Sequence, residues 1–221
     1  VRAAVLGVND GLVSNFCLMM GVAGGTVGGD SPDLVVLAGI AALIAGSLSM
    51  ATGEYISVRS QKEIYEFQIE TEQAELKEWP KEEEEELVLI YRAKGLEEEL
   101  ARKVASAVMS NPASALNTMA KEELGLNPEH LGSPWKASIS SLLAFALGAA
   151  VPLIPILFST GGTSIAISAI FSSIALFMVG GLVSIASGKN ILFGAARMLV
   201  AGGLAATFTY GVGYLLGISI L

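Results

Sequence analysis

The sequence predicts an all-α membrane protein of five transmembrane helices, with a helical domain inserted between spans two and three. Three observations carry this reading. Apolar residues make up 52% of the chain and charged residues 15%, and the charges are segregated rather than scattered. Residues 11–29, 34–53, 137–188 and 198–221 contain no Asp, Glu, Lys or Arg. Seventeen of the 21 acidic residues fall within residues 59–135. A helix rising about 1.5 Å per residue crosses the hydrocarbon in about 20 apolar residues, so the uncharged stretches are long enough to span. Lipid offers no hydrogen-bond partner to an open backbone, which leaves helices or closed barrels, and barrel-type alternation is absent.

The first span is expected over residues 3–26. It carries Asn9 and Asp10 and is too long an apolar run for a removable signal peptide. The sequence opens at Val1, almost inside this span and without an initiator Met, which leads us to expect that an N-terminal portion is missing. The second span, 33–58, follows Asp30-Ser31-Pro32, where Ser31 can cap and Pro32 fits the first turn. No Gly or Pro interrupts Glu54 to Trp79, so the same helix should run on into water, about 70 Å in all. Spans three and four, 136–158 and 164–187, are divided at Gly161-Gly162-Thr163-Ser164, and span five covers 191–219. The predicted domains are therefore 1–58, 59–135 and 136–221.

Within the insert, Pro80 should end one helix and begin another over 80–94, stopped by Gly95. A third helix is expected over 96–110 and a fourth over 112–124, with Asn111 as cap, Pro112 at its start and Gly125 at its end. Leu87, Leu89, Ile90, Leu96, Leu100, Val104, Val108, Leu116 and Leu124 supply the apolar faces of a small bundle. So few residues bury limited surface, and a partner chain or a bound metal is expected to help hold it.

Orientation follows from Lys and Arg in short connections. Arg2, Arg59, Lys62, Lys136 and Lys189 lie on one side, whereas the loops at 27–32 and 159–163 have none. The positive-inside rule puts the N-terminus and the insert in the cytoplasm and the C-terminus on the far side. The net charge of −8 argues against nucleic acid or anionic substrates. Cys17 is the sole cysteine, so neither an intramolecular disulfide nor a cysteine-based metal site is available.

So many carboxylates beside a membrane point to a cation. Glu72 and Glu75 are three residues apart, as are Glu83 and Glu86, and Met119 and Glu123 are four apart, so each pair shares a helix face. Three helices could converge on one site. Carboxylate oxygens suit Mn²⁺ and Fe²⁺, and a thioether from Met119 shifts preference away from Mg²⁺ and Ca²⁺. Spacing alone leaves a second reading open, in which these glutamates solvate helix surfaces and balance neighbouring lysines. In the spans, Asp10 and Glu54 are the sharper signal, because an ionisable group at membrane depth costs about 2.5 to 3.5 kcal/mol on insertion scales. Both could instead sit at the cytoplasmic headgroups. Met50 lies one turn before Glu54; apolar-helix methionines usually only pack, but this company makes it a candidate ligand. Because a ligating carboxylate must be deprotonated, a path lined by such groups would couple metal to protons. Pro152 and Pro155 should kink the third span, and Gly7-x-x-x-Gly11 and Gly213-x-x-x-Gly217 allow close helix contact.

Several of these segments resemble the vacuolar iron transporter family, in particular its bacterial and archaeal members. Asn9-Asp10-Gly11-Leu12-Val13-Ser14 is similar to its first-span signature, and Ser49-Met50 with Gly53-Glu54-Tyr55 to its second-span motif. Pro152-Leu153-x-Pro155 and Thr209-Tyr210-Gly211-Val212-Gly213 are similar to its third and fifth spans. The resemblance implies a homodimeric five-span transporter in the lipid bilayer. Such a protein exports Fe²⁺ and often Mn²⁺ from the cytosol in exchange for protons, with Zn²⁺ or Co²⁺ able to substitute and no permanent cofactor. The host membrane would be a cell membrane in a prokaryote and a vacuole-type membrane in a eukaryote. It further implies a path through Asp10 and Met50, with Glu54 at a position where members vary, and a cytoplasmic metal-binding domain using Glu72, Glu75, Glu83, Glu86, Met119 and Glu123. Some bacterial relatives carry an N-terminal ferritin-like domain, for which the start at Val1 leaves room. Other readings are a membrane-tethered ferroxidase, a metal sensor or an acidic docking scaffold. The ferroxidase is disfavoured because the sole histidine, His130, has no Glu three residues before it.

Overall fold

A computed structural model describes residues 2–26, 32–126, 132–158 and 163–220. The described residues form helices and no strands: α1 (Arg2–Gly25), α2 (Pro32–Glu78), α3 (Pro80–Ala93), α4 (Glu98–Met109), α5 (Pro112–Glu122), α6 (Pro134–Phe158), α7 (Thr163–Ala186) and α8 (Ile191–Ile220). Five of them, α1, α2, α6, α7 and α8, are long and apolar enough to cross a membrane, as the sequence predicts. Ser31, Gly161, Gly162 and His130 lie outside the described residues. The chain divides into two compact units, one of Val1–Tyr55 with Trp135–Leu221, the other of Ile56–Pro134. Helix α2 contributes its apolar half to the first and its charged half to the second.

The apolar unit exposes many large side chains, as expected where the surrounding solvent is lipid, and packs its helices through small residues around large ones such as Leu12, Phe16, Met19 and Phe145. Leu37, Leu147, Leu182, Leu204 and Phe208 are all exposed. The buried face of α7 is Ser164, Ser168, Ser172, Leu176, Gly180, Gly181 and Ser184, mostly four apart and all small but Leu176. Glycines bring backbones together at two seams. A Cβ on Gly11 would strike the Phe145 carbonyl and one on Gly148 the Val8 carbonyl, which fixes α1 against α6. A Cβ on Gly213 would strike the Gly21 carbonyl and one on Gly217 that of Gly25, which fixes α8 against α1. Both Gly-x-x-x-Gly pairs therefore serve packing within the chain.

Side chains donating to main-chain carbonyls tie the spans together. Asn15 Nδ2 donates to Ala149 O (2.6 Å), Thr209 Oγ1 to Cys17 O (2.8 Å), Ser138 Oγ to Ala51 O (2.8 Å) and Ser168 Oγ to Pro152 O. Helix α6 continues through Pro152 and Pro155, both buried inside the bundle. Burying such donors unpaired in an apolar medium would cost several kcal/mol each, so the pairing is required as well as favourable.

The charged unit packs α3, α4 and α5 with the end of α2 around Leu87, Val88, Ala101, Ala105 and Met119, flanked by Leu76, Tyr91, Leu96 and Val108. Its punctuation follows local chemistry. Pro80 occupies the first turn of α3, and α3 ends with Gly95 at φ 96°, where Leu96 N–H donates to Tyr91 O and Gly95 N–H to Arg92 O. Asn111 Oδ1 caps α5 by accepting from Ala113 N (3.0 Å) and Ser114 N (3.3 Å). Leu89 and Leu100, expected on the apolar faces, are instead 54% and 52% exposed. On α3 the buried stripe is Glu83, Leu87 and Val88, and Leu89 lies about 200° round the helix from Leu87. On α4 the close contact is made by Ala101 and Ala105, leaving Leu100 on the flank.

Candidate metal centre

Three helices deliver the acidic residues to one place. Glu72 and Glu75 project from the last two turns of α2, and Glu83 and Glu86 from the first two turns of α3. Trp79 is the single non-helical residue between them, with φ −130° and ψ 53°. Its N–H donates to Glu75 O (2.8 Å) and its carbonyl accepts from Glu83 N (3.1 Å), so the reversal is tight. Glu123 caps the C-terminal end of α5, its N–H bonded to Met119 O at 2.9 Å.

Glu72, Glu83 and Glu123 each offer a carboxylate oxygen within 4.8 Å of the other two. That spacing fits a common ion, since metal–oxygen bonds of about 2.1 Å put opposite ligands about 4.2 Å apart. Glu72 and Glu83 are 2% and 7% exposed, and each keeps one oxygen, Oε1 and Oε2 respectively, buried without a hydrogen-bond partner. Unpaired buried carboxylate oxygens are costly, and a cation would satisfy them.

The electrostatics follow from this geometry. Burial, then the charges of Glu123 and Glu83, push the Glu72 carboxyl up to about 8, and its hydrogen bond with Glu123 favours a shared proton. Burial, with Glu86 and Glu123 next, pushes Glu83 up to about 6. Burial and the nearby Glu86 raise Glu123 as well. Glu75 adds to the field on all three. Among the described residues, Lys and Arg pair with Glu63, Glu66, Glu85, Glu98, Glu99 and Glu122, and with none of the five clustered glutamates. Exposed Glu70, Glu78, Glu82 and Glu97 also lack a cation among the described residues, so what sets Glu72 and Glu83 apart is that they are unpaired and buried.

Six ligand candidates were named from the sequence. Glu72, Glu83 and Glu123 meet directly, and Glu75 and Glu86 stand near enough to act on them electrostatically. Met119 is fully buried in the core with Leu87 and Ala101. In the apolar unit, Asp10 lies on an exposed face of α1, while Met50 and Glu54 are half-buried on α2. Among the described residues Asp10 and Glu54 belong to no three-carboxylate group. Asn15, absent from the residues expected in the path, is 1% exposed with Oδ1 unpartnered. Its position mid-span was the available signal.

Fold and site together define a helical membrane protein that carries a partly buried, unneutralised carboxylate cluster. The VIT family model matches residues 1–214, and the chain belongs to that family. It is similar to a vacuolar iron transporter of Acanthamoeba castellanii, 36% identical over 220 residues that cover 97% of this chain and 78% of the relative. It is also similar to vacuolar iron transporter 2 of Oryza sativa subsp. japonica, 34% identical with 96% and 85% of the two chains covered. Vacuolar iron transporter homolog 1 of Arabidopsis thaliana is 35% identical, with 98% and 83% covered.

Proposed function

We infer that this protein is a proton-coupled transporter that moves Fe²⁺ or Mn²⁺ out of the cytosol, and that the acidic unit captures the ion before it crosses. The observation that carries the reading is the meeting of Glu72, Glu83 and Glu123, in which Glu72 and Glu83 are buried and each keeps one oxygen without a hydrogen-bond partner, while Glu123 opens to solvent. Family membership supports a transporter of metal, and the relatives' names specify iron.

Capture is an exchange. A divalent ion entering the cluster takes the oxygens that hold protons on Glu72, Glu83 and Glu123, so the protons leave as metal–oxygen bonds form. Glu75 and Glu86 supply field and further oxygens, and Met119 a thioether that favours Fe²⁺ over Mg²⁺. Asp10, with Met50 and Glu54 on α2, offers the next carboxylate and thioether ligands, within the membrane. Protons arriving from the far side would protonate Asp10 and release the ion, coupling the two flows in opposite directions. The exposed face of Asp10 supports a homodimer, because a second copy could cover a carboxylate that lipid would not tolerate.

Transport in proteoliposomes, driven by a pH gradient, tests this. Asp10→Asn should abolish Fe²⁺ flux while leaving metal binding by the acidic unit intact. Undiminished flux would remove Asp10 from the path.

A further inference from the structure

The acidic unit also has a basic cleft. It encloses about 550 Å³ between the end of α2, the start of α3, the end of α4 and the start of α5. Leu76, Met109 and Leu116 form apolar wall, Ser106 adds a hydroxyl, and Lys77 and Lys81 bring two ammonium groups against a single carboxylate, Glu84. Elsewhere in the unit Lys62, Arg92, Lys94, Arg102 and Lys103 are each paired with a glutamate. Lys77 and Lys81, like Lys121 on α5, pair with none among the described residues, although glutamates are plentiful in this unit, and only these two line the cleft. A second cleft of about 440 Å³ shares Lys81, Glu84 and Ser106, and there Arg102 and Lys103 are already held by Glu85 and Glu99.

Size, wall and charge each narrow the occupant. The volume suits a small organic molecule. The apolar wall favours a ligand with an apolar body over a bare ion, and unpaired ammonium groups favour an anionic head. We propose that this cleft binds a phosphate-bearing amphiphile, its headgroup at Lys77 and Lys81 and its apolar part against Leu76, Met109 and Leu116. Such a headgroup comes either from a bilayer lipid or from a soluble phosphate ester. The cleft joins α2, α3 and α5, so occupancy restrains the helices that carry Glu72, Glu83 and Glu123. That linkage rests on the metal reading, whereas binding itself does not.

The test uses the full chain in nanodiscs of zwitterionic lipid, with chelator present. Calorimetric titration with dihexanoyl phosphatidate should give saturable binding. Inorganic phosphate, which lacks the apolar part, and dihexanoyl phosphatidylcholine, which lacks net charge, should bind more weakly. Lys77→Gln with Lys81→Gln should weaken phosphatidate binding about tenfold or more. The corresponding pair of Arg substitutions should retain it, and Lys62→Gln should have no effect. In a second arm, discs doped with long-chain phosphatidate should slow amide exchange over residues 106–116 without added ligand if the source is the bilayer. Slowing that needs the soluble ester assigns a soluble source. Absence of saturable binding together with unchanged exchange in both arms overturns the proposal, as does equal weakening by Lys62→Gln.

Discussion

Glu72→Gln should make the metal-free protein more stable and the metal-loaded protein less responsive. In the folded chain the Glu72 carboxyl is held up at about 8, against an ordinary value of 4.5. A raised carboxyl binds more protons folded than unfolded, so stability is lost as pH rises from about 4.5 towards 8. At pH 7 the unfolded side chain lies about 2.5 pH units above its pKa and the folded one is largely protonated, so the difference is at most about 3 kcal/mol. Glutamine keeps the shape, can donate to Glu123 and carries no ionisation cost. Urea unfolding of the full chain in detergent, followed through Trp79 in a Trp135→Phe background, reads the acidic unit directly. In chelator at pH 7 the variant should unfold at higher urea, with the gap closing by about pH 4.5. With Mn²⁺ at about 100 times its Kd the parent should gain about 3 kcal/mol and the variant much less. A variant less stable than the parent in chelator at pH 7 would refute the claim that burial of this carboxylate is unfavourable without metal.

Metal binding near pH 7 should release about one proton or more, seen as a calorimetric heat that depends on buffer ionisation, and affinity should climb from about pH 5 to 8 before levelling. Affinity independent of pH across that window would contradict the raised carboxyls. Asn111→Ala removes the cap of α5 and should cost about 1 kcal/mol, with faster amide exchange at Ala113 and Ser114 and weaker metal binding through Glu123. Gly211 and Gly213 lie two residues apart, yet a Cβ meets open space at the first and the Gly21 carbonyl at the second. Gly213→Ala should therefore lower the melting temperature in detergent, while Gly211→Ala leaves it unchanged or raises it.

Legibility of the fold tracked the strength of the physical constraint. The spans were readable because a bilayer demands long uncharged helices, and α2 and α6 through α8 begin and end within a few residues of their expected places. The helices of the insert were readable from Pro80, Gly95, Asn111 and Gly125, residues whose backbone or side-chain chemistry starts or stops a helix. What lay beyond reach was rotation about each axis. Composition could not decide that Leu89 faces water while Ala101 and Ala105 make the core, because helix contact rewards small residues as well as large ones. The serine stripe of α7 was hidden for the same reason. Within the site, spacing identified pairs that share a face, but with eleven glutamates between Glu63 and Glu86 many pairs qualify. Only tertiary structure separates Glu83, buried against Glu72 and Glu123, from Glu85, which is spent on Arg102 at 2.6 Å.

That separation bears on why the unit is acidic beyond what a ligand set requires. The exposed glutamates can be neutralised by lysine and arginine within their own helices, and such surface pairs contribute little to stability. The clustered ones repel one another without compensation and depend on protons, which ties the state of the unit to pH and to metal together. A small core built on Leu87, Val88, Ala101, Ala105 and Met119 has little stability to spare against that repulsion. A divalent ion bound as proposed would then add order as well as cargo, so loaded and empty forms should differ in rigidity at α3 and α5 as well as in charge. A transporter that must tell whether its acidic unit is filled needs such a difference, and a fully neutralised, well-packed bundle would not provide it.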